Sequence, residues 1–458
     1  MNGSNTLVLS TYRQICLLFI DVHVLKGVFM SIAIENEAVQ EEKPTRQRHL
    51  LAAILLAVVF FSYIDRVNVS ILVVDPEFLK TMGIAGDSVQ KGLLMTLFLA
   101  AYGVGNVLLS PLGDILGPRK AMALSILMWG VSLVIGGLAS VFTTMLISRV
   151  LLGLGEGMHF PMQSKFIKEW FPPTERGKAN AVWQTGMALA PAIAMPFFTW
   201  IIHISGWRES FFVLLAMGMI PLYLVWFHTS DTPQTNKRIN KAELDHIEKG
   251  LAGEKSAQTL GKATFAEGLK SFAGNYQFWL IVVYYIVHTS VLWGSMTWLP
   301  SYLKEARGFS WAAMGALSSL PWILGVGTKI LSGILADKMG RRAPIILVAM
   351  IGVAVGVYFG ANAEDNMTSA IFLAIGIGSI GLGGPTAWTL MQDIVPAKGI
   401  STAAGVMNGV GNGFSALAPL AIGFLISVTG SYVGGLLYLV GCACVGGVAM
   451  LILTIKGR

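Results

Sequence analysis

Residues 333–342 read Gly-Ile-Leu-Ala-Asp-Lys-Met-Gly-Arg-Arg, and residues 112–120 read Leu-Gly-Asp-Ile-Leu-Gly-Pro-Arg-Lys. Asp337 and Asp114 are each followed by a glycine at the third position and then by basic residues, and they lie 223 positions apart. A Gly-Val-Gly triplet precedes both copies. Because a polar loop recurs in the same register, the sequence predicts two related halves.

The composition excludes a water-soluble protein. Of the 458 residues, 54% are hydrophobic and 12% are charged, whereas roughly 25% of the residues in soluble proteins are charged. A membrane-spanning helix needs about 20 apolar residues. Twelve runs of this kind are present, six in residues 50–229 and six in residues 277–458. The sequence therefore predicts an all-α membrane protein with twelve transmembrane helices in two pseudo-symmetric six-helix halves.

Residues 230–276 form the longest polar stretch and are predicted to be a cytoplasmic linker between the halves. If both termini are cytoplasmic, the inner segments from residue 43 onward hold 22 Lys and Arg, and the outer loops hold five. This asymmetry favours cytoplasmic termini and explains the net charge of +7 without a nucleic-acid partner. Residues 1–49 are predicted to be a cytoplasmic segment, in which Met30 is a candidate start of synthesis.

No motif indicates an enzyme or a bound cofactor. Cys16, Cys442 and Cys444 lack the spacing of a disulfide scaffold, a zinc site or an iron–sulfur cluster. No Walker loop, haem site or catalytic triad is recognisable. Two repeated six-helix halves without such motifs are typical of a secondary transporter, whose substrate binds between the halves near the middle of the membrane.

Ionisable residues inside the predicted spans are candidates for the functional site, because each is costly to insert into a bilayer. Asp65 and Arg66 lie toward the end of the first span, and Arg149 and Glu156 lie two helical turns apart in the fourth. A carboxylate whose cationic partner changes can load and release a proton. We therefore predict that Asp65 and Glu156 couple protons, that Arg66 binds a substrate carboxylate and that Arg149 is a charge partner. Static ion pairs are the alternative.

Three further residues in the spans have two interpretations each. Lys329 in the eighth span is either a second anion anchor or a lysine that snorkels toward the membrane surface, and we favour snorkelling. His288 and His159 are either proton relays or neutral hydrogen-bonding residues, and we favour the neutral form.

At the repeated loops the sequence resembles the major facilitator superfamily, whose signature after the second helix is Gly-x-Leu-Ala-Asp-x-x-Gly followed by two basic residues. The first copy here lacks the leading glycine and carries Pro118 before the basic pair. Within this superfamily the chain is similar to the anion:cation symporter branch, which includes D-galactonate, glucarate, phthalate and 4-hydroxyphenylacetate permeases. Four stretches carry that similarity: residues 62–68, 149–161, 169–179 and 297–300. The resemblance implies the major facilitator fold.

The similarity to galactonate-type permeases also implies roles for uncharged residues. Matched position by position, it implicates five side chains in substrate contact beside Arg66: Tyr63, Tyr102, Gln184, Trp388 and Asn408. Bonding between neighbouring helices is the alternative for these residues. Pro385 and Ala387 flank Trp388 where that pattern has hydroxyls, so aromatic or simpler carboxylates stay among the candidate substrates.

The repeated loops are predicted to form a cytoplasmic gate. Its charged residues would form clusters that hold the cytoplasmic side closed and that break when the halves rock. These residues are Asp114, Arg119, Lys120, Asp337, Arg341 and Arg342. The alternative is that the charges only determine topology, a purpose that Lys and Arg alone would serve.

Together these features predict a secondary active transporter that takes up an organic carboxylate with protons by alternating access, and a sugar acid such as galactonate or glucarate is the favoured substrate. The alternatives are an aromatic carboxylate of the phthalate or 4-hydroxyphenylacetate type, a drug/proton antiporter, which the arginines disfavour, and a non-transporting membrane sensor. Coupling to sodium is a further alternative. We expect a monomer in a bacterial inner (plasma) membrane. Its partners would be the lipid bilayer and a small organic anion, with no metal or cofactor beyond the coupling proton.

Overall fold

A computed structural model describes residues 43–258, 265–396 and 400–458. These ranges contain eighteen α-helices, a π-helical turn at Tyr302–Ala306, and short 3-10 turns at Pro233–Thr235 and Ser379–Leu382, and they contain no β-strand. The α-helices are α1 Gln47–Leu72, α2 Pro76–Met82, α3 Ser88–Leu108, α4 Leu112–Leu116, α5 Pro118–Leu138, α6 Phe142–Trp170, α7 Pro173–Ser205, α8 Trp207–His228, α9 Lys241–Gln258, α10 Phe265–Lys270, α11 Tyr276–Ser301, α12 Trp311–Met339, α13 Ala343–Asn362, α14 Asn366–Gly378, α15 Gly384–Ile394, α16 Ile400–Ser415, α17 Ala418–Thr429 and α18 Tyr432–Ile455. The candidate start at Met30 lies outside the described residues.

Eleven segments within the described ranges are long and apolar enough to cross a membrane. The predicted fourth span is not among these eleven. Its helix α6 is long enough, with 29 residues, but it contains the buried polar residues Arg149, Glu156 and His159. With α6 the described chain has twelve spans, six before the linker and six after it, which confirms the predicted all-α membrane fold. The tenth and eleventh spans are each built from two helices, α14 with α15 and α16 with α17.

Aspartates begin helices in the loops that join the spans. Asp75 accepts the backbone N–H of Phe78 at 2.7 Å at the start of α2, and Asp365 accepts that of Thr368 at 2.7 Å at the start of α14. The hydrogen bonds from Thr368 hold the pKa of Asp365 below its ordinary value. Partial burial instead raises the pKa of Asp75. Both aspartates satisfy N–H groups that a helix start leaves without partners.

Glycines allow α3 and α6 to approach each other closely. Gly153 and Gly157 lie one turn apart on α6, and a side chain at either position would clash with the α3 backbone at Phe98 or Tyr102. Small residues at such a contact let membrane helices pack backbone to backbone. Glu156 lies between these two glycines, so the contact fixes its position beside α3.

The linker is divided between the two halves. Its first helix, α9, packs on the N-terminal half, where Glu243 accepts the backbone N–H groups of Gln47 at 3.0 Å and of Arg48 at 3.1 Å. The Arg48 guanidinium donates to the same carboxylate at 3.1 Å. Its second helix, α10, contacts α16 of the C-terminal half, where a side chain at Gly268 would clash with Thr402. We call the face of the molecule that carries α9 and α10 the linker face and the opposite one the distal face.

The two halves contact each other at the distal face. Lys91 at the start of α3 forms an ion pair with Glu305 at 2.9 Å. Close by, a Cβ at Gly92 would lie 2.5 Å from the carbonyl oxygen of Pro419 on α17. On α16, which is the part of the same span nearer the linker face, a Cβ at Gly405 would have no neighbour within 4 Å. The halves therefore touch at the distal face, and the open space at Gly405 lies toward the linker face.

Candidate functional site

A buried ion pair lies where α1 meets α6. The Arg66 Nε donates to Glu156 Oε2 at 2.7 Å, and the Ser62 hydroxyl donates to the same oxygen at 3.0 Å. Arg66 is 1% exposed and Glu156 is fully buried. Arg66 Nη2 and Glu156 Oε1 have no hydrogen-bond partner among the described residues. Each member of the pair therefore keeps hydrogen-bonding capacity for a further ligand or proton.

Four aromatic rings surround the Arg66 guanidinium. Its central carbon lies 4.4 Å from the ring centre of Tyr63, 4.7 Å from Tyr102, 5.3 Å from Phe98 and 5.4 Å from Trp293. Cation–π attraction stabilises a desolvated arginine in such a setting. Trp293 belongs to α11 of the C-terminal half, and its ring stacks on Tyr63 with the centres 6.3 Å apart. The arginine is thus enclosed by side chains from both halves.

Asp65 and Arg149 extend this cluster. Asp65 is 3% exposed and lies within electrostatic reach of Glu156, Arg149 and Arg66. Arg149 is 1% exposed and has Phe211 on one side at 5.5 Å, and its Nε and Nη2 have no hydrogen-bond partner in the described chain. Two carboxylates and two guanidiniums therefore share one buried region, and their charges balance when all four are ionised. Protonation of either carboxylate leaves an excess positive charge that an anion can neutralise.

A second polar and aromatic cluster lies in the C-terminal half. The Tyr285 hydroxyl donates to Asn408 Oδ1 at 3.3 Å, and Asn412 Nδ2 donates to the same oxygen at 2.8 Å. The Tyr285 ring meets Trp388 edge to face at 5.7 Å and stacks on His288 at 6.0 Å. Trp388 and Asn408 are half-buried. The structure thus brings together two of the predicted substrate residues, and Tyr285 joins them.

The remaining candidates make no hydrogen bond to a side chain of either cluster in the described chain, although His159 and Lys329 lie beside them. Gln184 on α7 is exposed, and its side chain makes no hydrogen bond to another described residue. His159 Nδ1 lies 2.6 Å from the backbone oxygen of Glu156, and its ring contacts Phe160 rather than a carboxylate. Lys329 on α12 is half-buried and within electrostatic reach of His288.

The predicted gate residues make their described contacts within their own halves or with the start of the linker. The backbone N–H of Arg119 donates to Asp231 at 2.9 Å, Arg341 donates to the Thr454 carbonyl at 2.6 Å, and Arg342 forms an ion pair with Asp393 at 2.9 Å. Lys120 is exposed. The side chains of Asp114 and Asp337 lie outside those that the structure describes. The gate therefore stays a prediction.

Sequence reasoning missed several members of the site. Ser62 lies inside the stretch that carried the family resemblance, four positions before Arg66, so its helix face was predictable. Trp293 and Tyr285 carry no charge and lie in an apolar span with several other aromatic residues. Only the packing of α1 against α11 distinguishes them.

Comparison with known proteins gives concordant matches. A family model described as Major Facilitator Superfamily matches residues 55–419. The probable sulfoacetate transporter SauU of Cupriavidus necator is 32% identical over 396 residues, which cover 84% of this chain and 89% of that protein. The probable galactarate/D-glucarate transporter GudP of Bacillus subtilis is 30% identical over 425 residues, which cover 86% and 89%.

A solved structure shares the fold. It is the crystal structure of a bacterial homolog of the human lysosomal transporter Spinster in an inward-facing and occupied conformation. The TM-score is 0.69 at 17% sequence identity, and the match covers 90% of this chain and 97% of that chain. At this identity the likeness concerns the fold alone.

Proposed function

Because the chain belongs to the Major Facilitator Superfamily and is a transporter rather than an enzyme, we propose that it takes up an organic acid anion together with protons. The substrate is a sugar acid such as glucarate or galactonate. The names of the relatives support a small acidic substrate, since they refer to sulfoacetate and to galactarate and D-glucarate. The coupling ion is the proton, and no metal or organic cofactor takes part.

The observation that carries this proposal is the buried pair of Arg66 and Glu156. A proton that binds Glu156 removes its negative charge and weakens its bond to Arg66 Nε. The guanidinium then accepts the substrate carboxylate as its new partner, for which its planar fork of donors is suited. Loss of the proton restores the pair and expels the substrate. Proton and anion therefore bind together and leave together.

Asp65 and Arg149 form the second part of the coupling machinery. Asp65 lies within electrostatic reach of both arginines, so the protonation of Glu156 changes the charge that Asp65 experiences. Arg149 binds whichever of the two carboxylates is ionised at a given stage. Its Nε and Nη2 have no hydrogen-bond partner in the described chain, so they can donate to either carboxylate in turn. For a monoanion, a second proton on Asp65 would allow uptake to use the membrane potential, at about 2.3 kcal/mol per 100 mV for each charge, whereas for a dianion it would make uptake electroneutral.

Alternating access follows from how the halves meet. We assign the linker face to the cytoplasm, because Lys and Arg concentrate in the segments on that face. The arrangement closed at the distal face is then the inward-facing state. Rocking of the halves would break the pair of Lys91 with Glu305 and close the linker face around the predicted gate. We place the protein as a monomer in the inner membrane of a bacterium.

The aromatic surroundings of Arg66 favour a second candidate substrate, an aromatic carboxylate. Tyr63, Tyr102, Phe98 and Trp293 present ring faces or edges to this guanidinium. An aromatic acid such as phthalate or 4-hydroxyphenylacetate would stack among these rings once its carboxylate binds Arg66.

The test is uptake into proteoliposomes of labelled galactonate, glucarate, phthalate and 4-hydroxyphenylacetate under an imposed pH gradient, with the parent and Glu156→Gln. We expect a sugar acid to accumulate only with acid outside. Glu156→Gln is expected to keep exchange of substrate across the membrane and to lose accumulation. Accumulation of none of the acids, or expulsion of a cation instead, would contradict the proposal. Undiminished accumulation by Glu156→Gln would remove that residue from the coupling.

A further inference from the structure

Lys329 is a cation inside a predicted span, and no carboxylate among the described side chains pairs with it. The acidic residues of the C-terminal half all lie in loops or near the ends of spans: Glu305, Asp337, Glu364, Asp365 and Asp393. Lys329 is half-buried, and among the described residues it has no hydrogen bond or ion pair. Charged groups within membrane proteins are ordinarily paired or face an aqueous pathway. The missing partner of Lys329 is therefore expected to be a ligand.

The position of Lys329 on α12 argues against snorkelling. The helix continues for ten residues beyond it, to Met339, which corresponds to about 15 Å of rise. An extended lysine side chain cannot span this distance to the linker-face end. Lys329 also shares a helix face with Trp322 and Ser332, which are 7% and 0% exposed, since these positions are spaced by seven and three residues. The side chain thus belongs to the inner face of α12.

Ring contacts and electrostatic proximity together relate Lys329 to Arg66. Lys329 lies within electrostatic reach of His288, whose ring stacks on Tyr285. Tyr285 in turn lies within electrostatic reach of Tyr63, whose ring lies 4.4 Å from the Arg66 guanidinium. Trp388 and Asn408 contact Tyr285 along this path. The two cations therefore lie on opposite halves with the predicted substrate residues between them.

The ionisable residues around the site indicate which charge the substrate carries. Arg66, Arg149 and Lys329 supply three positive charges, and Asp65 and Glu156 supply two negative charges when both are ionised. With one carboxylate protonated, the positive charges exceed the negative charge by two. Uncompensated charge is costly in a low-dielectric membrane interior. A doubly charged anion neutralises the loaded site, whereas a monoanion leaves one cation without a partner.

We infer that Lys329 is a second anion-binding residue of the substrate site and that the substrate carries an acidic group at each end. This inference rests on the proposed function. Arg66 binds one acidic group from the N-terminal half, and Lys329 binds the other from the C-terminal half. The substrate class is thus a short dianion such as an aldarate. A substrate held at both ends joins the halves, which assists closure of the linker face around it.

Glucarate and gluconate test this inference, because they share a six-carbon polyhydroxy chain and differ in the second acidic group. Uptake of each would be measured in proteoliposomes under the same pH gradient, with the parent, Lys329→Gln, Lys329→Arg and Lys456→Gln. Lys456 is exposed beyond the last helix and serves as the control for loss of one positive charge. We expect the parent to prefer glucarate. Lys329→Gln should lower kcat/KM for glucarate by about tenfold to a hundredfold and should keep or raise kcat/KM for gluconate, because a monoanion then leaves no cation without a partner.

Each outcome supports or contradicts the inference. Retained gluconate uptake by Lys329→Gln also shows that this variant is folded, and Lys329→Arg should keep the preference of the parent. Equal effects of Lys329→Gln on both acids, or no preference in the parent, would overturn the inference and leave the proposed function intact. Uptake of neither acid by the parent would overturn the proposed function and this inference with it. If Lys329→Gln cannot be purified, Lys329→Met provides the same comparison.

Discussion

Arg66 combines several contacts that are separate in most proteins. It pairs with Glu156 through Nε at 2.7 Å, and the rings of Tyr63 and Tyr102 cover it within 5 Å. Its planar guanidinium suits both roles, because it stacks on rings and still directs donors along its edge. A lysine ammonium has neither the plane nor the fork.

Arg66→Lys is therefore expected to bind substrate poorly although the charge is kept. We expect the KM for uptake to rise by about tenfold or more, since a bidentate charged bond and the ring contacts are lost together. Uptake kinetics in proteoliposomes would measure this change. Arg46→Lys, at an exposed residue just before α1, is the matched control and should behave as the parent. An unchanged KM in Arg66→Lys would remove this arginine from substrate binding.

At the scale of single residues the charges were predictable and the apolar partners were not. Asp65, Arg66, Arg149 and Glu156 could be identified from sequence because ionisable groups are rare in the spans. Trp293 is one of 12 tryptophans in an apolar chain, so neither its type nor its surroundings distinguishes it. Its contact with Arg66 arises from packing between the halves.

At the scale of helices, the approach of α6 to α3 positions Glu156. Gly157 lies next to it and leaves no room for a side chain against the Tyr102 backbone. Gly157→Ala is expected to push the two helices apart and to destabilise the protein by about 1–3 kcal/mol. It should also reduce uptake, because Tyr102 and Glu156 move together. Thermal unfolding of the purified protein would measure the first effect and proteoliposome uptake the second.

Gly405→Ala is the control for this substitution. A Cβ at Gly405 meets open space, so the variant should unfold at the temperature of the parent or slightly above it, since alanine favours helix. If Gly157→Ala were as stable and as active as the parent, the close approach of the two helices would not be what positions Glu156.

Helix α6, the fourth span, was predictable from the sequence although it contains polar residues. Its 29 residues are long enough to cross a membrane, and its charged residues recur at helical spacing. The length and the flanking spans therefore predicted it, although composition alone would not. The position of the linker was also predictable, but the attachment of its helix α9 to the start of α1 was not. That attachment depends on Glu243 meeting residues nearly 200 positions earlier in the chain.

At the scale of the whole molecule, the ion pair of Lys91 with Glu305 holds the distal face closed. Tyr432 also donates to Glu305, at 2.5 Å. Lys91→Gln should weaken this closure and shift the population toward the state that is open at the distal face. A partly exposed ion pair contributes about 0.5–1 kcal/mol, so the populations should change by about two- to fivefold.

Labelling can detect this shift. A cysteine at position 409, where a Cβ would have open space in the present arrangement, would react with a membrane-impermeant maleimide applied from the linker face. The native cysteines would be replaced first. We expect slower labelling in Lys91→Gln and no change in Lys80→Gln, an exposed residue of α2. Equal labelling rates in all three proteins would show that the Lys91 pair does not control the equilibrium.

The repeat predicted two halves, but it could not predict which face is open. Both arrangements use the same helices, and they differ in contacts between residues of different halves, such as Gly92 with Pro419. The residues that make these contacts are unremarkable in sequence. The choice between the two states depends on small differences in free energy summed over the whole interface.

The contact between Glu243 and the start of α1 also bears on how the chain matures during translation. Glu243 emerges from the ribosome 195 residues after Arg48. At a synthesis rate of about 5–20 residues per second, roughly 10–40 s separate the two. Throughout that interval the backbone N–H groups at the start of α1 lack the Glu243 carboxylate that accepts their hydrogen bonds. The N-terminal half therefore completes its folding only once the ribosome has passed into the linker, shortly before the second half begins to enter the membrane.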